Sequence, residues 1–111
     1  MPRDYKVYAE DTLESISRIQ EYTQGLSLDA LKKDTKTLDA VVRNLEVIGE
    51  AARSIPEHVR LDNPAVDWKN VAGLRNILVH EYFGIDVDII WGIVQNKLES
   101  LKKSTQRILN A

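Results

Sequence analysis

The stretch from Asp34 to Ser54 carries Leu38, Val41, Val42, Leu45, Ile48, Ala51 and Ala52 at steps of three and four. That spacing follows the turn of an α-helix and draws one continuous apolar face along it. A helix with such a face must bury it against other helices. Pro56 closes the segment, because proline neither continues a helix nor tolerates one in the residue before it.

The rest of the chain supplies the partners. From Asp4 to Thr23, Tyr5, Tyr8, Leu13, Ile16, Ile19 and Tyr22 recur at helical intervals, and Gln24-Gly25 offers a glycine cap. Ser27 is placed to cap a short turn over Leu28 to Lys33, with Asp29 near its positive end. Pro56 to Asp67 holds two prolines and an Asp-Asn-Pro turn signal, so it reads as a loop with one helical turn at Glu57 to Arg60. Asp67 caps a helix from Trp68 to about Tyr82, which Gly84 breaks. Asp86 then caps a long final helix whose inner side carries Val87, Ile90, Trp91, Val94, Leu98, Leu101 and Ile108. The expectation is an all-α, up-and-down bundle of four principal helices plus short helical turns, one domain over residues 1–111.

Composition narrows the function classes. There is no cysteine, hence no disulfide framework and no thiolate metal site. Two histidines, His58 and His80, are too few for a His-rich metal centre. No apolar run is long enough to span a bilayer, and the amino terminus lacks a signal-peptide core, so the expected location is the cytoplasm. The net charge of −2, from 15 Lys+Arg against 17 Asp+Glu, argues against a broad nucleic-acid-coating surface but leaves room for a small basic cleft.

The most specific segment is Gly73-Leu74-Arg75-Asn76-Ile77-Leu78-Val79-His80-Glu81-Tyr82. Arginine, a polar residue, three apolar residues, histidine, any residue and tyrosine follow in order. This resembles the R-x4-6-H-x-Y signature of HepT-like ribonucleases in the HEPN superfamily, including the asparagine after the arginine. The flanks agree: Arg43 to Ala52 resembles the family's second helix, and Trp68 to Leu74 resembles the approach to its motif. The likeness runs from Tyr5 through the final helix.

The residue types suit metal-independent RNA cleavage. Such cleavage needs a base near the ribose 2′-hydroxyl and positive charge near the developing phosphorane. Histidine, with an unperturbed pKa of about 6.5, suits the first task. Arginine, always charged and able to grip two phosphate oxygens, suits the second. Asn76 is placed to position either group, and Tyr82 to donate a hydrogen bond or stack on a base.

Helical geometry sets a condition. At about 100° per residue, Arg75 and Tyr82 share a stripe, Asn76 and His80 share another, and Arg75 and His80 are roughly 140° apart. Either the helix loosens near its end, or a second protomer contributes. The resemblance implies the second, a composite site at a homodimer cleft. It also implies a toxin paired with a minimal nucleotidyltransferase antitoxin, which attaches AMP to Tyr82 and blocks the site with phosphate charge and bulk. No cofactor is expected.

The competing reading is a non-catalytic HEPN-type subunit that binds nucleotide and regulates a partner nucleotidyltransferase; the acidic balance favours it and the intact Arg75, Asn76, His80 and Tyr82 set opposes it. Several other residues have plain structural readings. Arg75 could pair with Glu81, His80 could bond helix-end carbonyls, and Tyr82 could be half-buried core. Glu46 and Glu50 read as a solvated stripe before metal ligands, with a possible role in contacting Arg43 or Arg53 or orienting Arg75. His58 reads as solvent-exposed, Trp68 and Trp91 as core or dimer contacts, and Lys102, Lys103 and Arg107 as cations suited to a helix C-terminus.

Overall fold

Eight residues from α1 (Tyr5–Thr23) and α3 (Thr35–Arg53) lie in the core, led by Ile16, Ile19, Val41, Leu45 and Ile48, each fully withdrawn from solvent. The computed structural model describes the backbone of residues 4–80 and 86–111 and the side chains of residues 4–74 and 86–111. Among the described residues there are seven helices and no strand: α1 (Tyr5–Thr23), α2 (Leu28–Lys33), α3 (Thr35–Arg53), α4 (Glu57–Leu61), α5 (Trp68–His80), α6 (Val87–Asn96) and α7 (Leu98–Asn110). The central helix is α3, which packs against both α1 and α5, while α7 packs on α1. Each fully buried Leu or Ile contributes roughly 1.5–3 kcal/mol, so this face of α3 is what holds the bundle together.

Caps set the helix boundaries. Asp4 accepts the Lys6 N–H at 2.9 Å, and Ser27 Oγ accepts that of Ala30 at 3.1 Å. Gly25 stands at φ +76°, the left-handed turn that glycine adopts without strain, just beyond α1. Asp34 closes α2 and opens α3, accepting the Thr37 backbone N–H at 3.0 Å and its hydroxyl at 2.6 Å. These two bonds, the hydroxyl's first, hold the Asp34 carboxyl below the ordinary carboxylate range. Asp86 caps α6 through the N–H of Asp88, 2.9 Å away, and Asp88 in turn faces Lys32 of α2 at 3.3 Å.

Two expectations are corrected. The final helix is interrupted at Lys97, where φ is −114°. The hydrogen bonds from Lys97 N to Ile93 O (2.9 Å) and from Leu101 N to Lys97 O (3.2 Å) survive, so the chain bends without ending its ladder. The two pieces serve different neighbours: α6 packs on α2, and α7 on α1. In α1, Tyr22 is 39% exposed and Thr23 takes the inward position. Steps of three drift about 60° off a helical face each time, which carries Tyr22 out of line with Ile16 and Ile19. Thr23 tolerates burial because its hydroxyl donates to Ile19 O at 2.8 Å, as Thr12 and Thr105 do to the carbonyls four residues back.

Among the described residues, no helix is long and apolar enough to cross a membrane.

Candidate active site

The motif helix is anchored at its start. Asp67 accepts the backbone N–H of Asn70 at 3.2 Å and its side-chain amide at 2.7 Å. The buried Trp68 donates its indole N–H to the Asn63 carbonyl at 3.0 Å, and the Asn63 amide donates to Val59 O at 2.9 Å. Leu74 is buried, and Val71 and Ala72 pack against the same core. Four contacts on one side of α5 therefore fix its rotation about its own axis.

That rotation assigns faces to the motif. The backbones of Arg75, Asn76 and His80 belong to α5; their side chains, and Tyr82 altogether, lie outside the described residues. Arg75 follows Trp68 by seven residues and so falls on the stripe of that buried tryptophan. Asn76 and His80 fall on the stripe of the exposed Lys69, seven and eleven residues after it. The backbone is α-helical from Trp68 through His80, so it does not loosen between Arg75 and His80. Their positions stay about 140° apart around one axis.

Two grooves border this scaffold. A polar groove of about 660 Å³ runs between α1 and α3, lined by Tyr8, Asp11, Arg43, Glu46, Glu50 and Ser54. It brings Glu46 and Glu50 beside Arg43, as their shared helical face suggests. Tyr8 and Asp11 were not visible as members from the sequence, since their partners are more than thirty residues away; the i, i+3 spacing of the two on α1 is the only local trace. Three carboxylates against one guanidinium make this groove a poor receiver of RNA phosphate. A second groove, of about 480 Å³, is chiefly apolar and lies where α5 meets the α6–α7 bend, between Ile48, Val66, Val71, Leu74, Ile93, Leu98 and Leu101. It lies on the inner side of α5, and Asp67, Asn70, Asn96, Lys97 and Ser100 supply its polar lining.

His58 and Trp68 fall as their plain readings require. His58 is exposed on α4, with its ring edge-on to Tyr5 at 6.3 Å between centroids. Trp68 is core, and Trp91 is half-buried in a shallow polar hollow with Gln20, Gln95 and Glu99. Lys103 and Arg107 are exposed on α7, and Lys6 donates from α1 to Ala111 O at 2.9 Å.

Comparison with known proteins agrees with the family resemblance. The model of the family described as ribonuclease HepT-like matches residues 12–108. A candidate RNase of Methanocaldococcus jannaschii is 43% identical over 110 residues, covering 98% of this chain and 91% of the relative. The probable ribonuclease HepT of Thermococcus cleftensis is 38% identical over 108 residues, covering 97% and 98% of the two chains. The mRNA nuclease HepT of Shewanella oneidensis is 29% identical over 113 residues, covering 79% and 83%. No solved structure matches the chain. With the family model spanning nearly all of the bundle, the chain belongs to the HepT-like ribonuclease family.

Proposed function

We propose that this chain is a toxin-type endoribonuclease that cuts RNA without a metal ion, in a site shared between two copies. The observation that carries the reading is the placement of Arg75, Asn76 and His80 on a single anchored helix, in a chain that the ribonuclease HepT-like model matches over residues 12–108. The mRNA nuclease named among its relatives points the same way for the substrate.

The chemistry follows from the residue types. His80 takes the proton from a ribose 2′-hydroxyl, whose oxygen attacks the neighbouring phosphorus. The bond to the 5′-oxygen of the next nucleotide breaks, and that oxygen leaves with a proton taken from water, to which His80 returns the proton it accepted. The products are a 2′,3′-cyclic phosphate and a free 5′-hydroxyl. Arg75 binds the phosphate and offsets the charge of the phosphorane, while Asn76 and Tyr82 position the strand.

One protomer offers Arg75 and His80 from different sides of α5, so the site draws on two copies related by a twofold axis. Pairing also doubles the local positive charge in a chain of net charge −2. A partner nucleotidyltransferase acts as antitoxin by placing AMP on Tyr82, which fills the phosphate site with its own negative charge.

Mixing tests the shared site. Arg75→Ala and His80→Ala are each inactive in this account, and co-refolded mixtures regain cleavage because one of the two sites in a mixed dimer is intact. Mixed dimers that form, as shown by differently tagged subunits, yet stay inactive would refute sharing.

A further inference from the structure

We propose that Lys69 is a substrate-positioning residue that holds an RNA phosphate a few nucleotides from the bond being cut. This rests on the ribonuclease reading and adds a contact to the same site. Lys69, Gly73, Asn76 and His80 follow one another at steps of four, three and four. On the α-helix observed from Trp68 to His80, that spacing puts all four within a stripe about 60° wide. The stripe begins at a cation and ends at the histidine.

Its middle has room: among the described residues, a Cβ built on Gly73 would meet nothing within 4 Å. A glycine at that point also lets a sugar-phosphate backbone approach the helix closely. Lys69 is exposed, and none of the described carboxylates pairs with it. The nearest acidic residue in sequence, Asp67, has its carboxylate engaged by Asn70. Nor does the helix gain from this lysine, since cations stabilise the opposite end. Among the described residues, no structural task therefore accounts for it.

Distance separates its role from that of the motif. Eleven residues at about 1.5 Å each put Lys69 roughly 16 Å from His80 along the axis. One phosphate cannot touch both, but a strand laid along the stripe reaches both with different phosphates. In a chain of net negative charge, an exposed cation on this face gives direction to a strand entering the site.

The test pairs binding with cleavage. Binding is measured on a 2′-O-methyl RNA oligonucleotide, which cannot be cut, and rates on the matching cleavable RNA and on a dinucleotide. Lys69→Ala is expected to weaken binding and raise KM roughly threefold to fivefold, the worth of one exposed charge pair, with kcat retained. The slope of log affinity against log salt should fall by about 0.7, one phosphate contact on a single strand. Lys69→Arg should restore both, and dinucleotide cleavage should be unchanged. An unaltered KM and salt slope, a loss confined to kcat, or an equal loss on the dinucleotide would overturn the proposal. Wild type that binds the uncuttable RNA but cleaves nothing would defeat the ribonuclease reading alone, leaving Lys69 to be judged on binding. Wild type that binds no RNA would defeat both.

Discussion

Trp68 donates its indole N–H to the backbone carbonyl of Asn63, 3.0 Å away, and so ties the first residue of the motif helix to the loop before it. Both residues are buried, so water cannot replace the bond. Trp68→Phe should keep most of the packing but leave the Asn63 carbonyl with the longer bond from the Val66 N–H, 3.4 Å. We expect a loss of about 0.5–1.5 kcal/mol in urea unfolding, together with faster amide exchange along α5. Unchanged stability would mean that α5 is oriented by Val71 and Leu74 without the indole.

Leu45 lies at the centre of the face that α3 turns to the core and is fully buried. Leu45→Ala should cost about 2–5 kcal/mol in chemical denaturation. Leu61, at 70% exposure, provides the control. Leu61→Ala should stay within about 0.5 kcal/mol of wild type.

Asp34 makes stability depend on acid. Its bonds to Thr37 lower its pKa in the folded chain, so its contribution is present above the unfolded carboxylate value and disappears as pH falls through the folded one. Asp34→Ala should therefore melt below wild type at neutral pH, and the gap should close in strong acid. Asp34→Asn, which keeps a capping oxygen but no charge, should fall between the two at neutral pH. A gap that stays constant with pH would assign the whole effect to uncharged capping.

Most of this fold was legible in the sequence because its helices are amphipathic and visibly capped. The turn over Leu28 to Lys33 matches α2, and the segments beginning at Asp4 and Asp34 differ from α1 and α3 chiefly in that those aspartates are caps. The bend at Lys97 was hidden for a physical reason. Val94, Leu98, Leu101 and Ile108 continue one apolar stripe across it, and neither proline nor glycine marks the spot. The polar groove was hidden as well, because Tyr8 and Asp11 meet Arg43 and Glu46 only through the packing of α1 on α3. At the candidate site, sequence gave the residue types and their helical register. The described structure adds the rotation of α5 and continuity of the helix to His80, and these separate the stripes of Arg75 and His80.

In the proposed scheme, Tyr82 separates catalysis from its control. Tyr82→Phe should retain measurable RNA cleavage while losing AMP attachment by a partner nucleotidyltransferase, read as the absence of the AMP mass increment on the intact chain. An AMP adduct persisting on the variant would move the modification to another residue.

The central claim is that this bundle cuts RNA with His80 and without a metal ion. The most direct measurement is cleavage of labelled RNA in excess EDTA by wild type and by His80→Ala, both produced without any nucleotidyltransferase and matched by thermal melting. The account predicts that wild type yields fragments ending in 2′,3′-cyclic phosphate and that the variant, equally folded, yields none. Cleavage that survives in His80→Ala, or that EDTA abolishes in wild type, would contradict it.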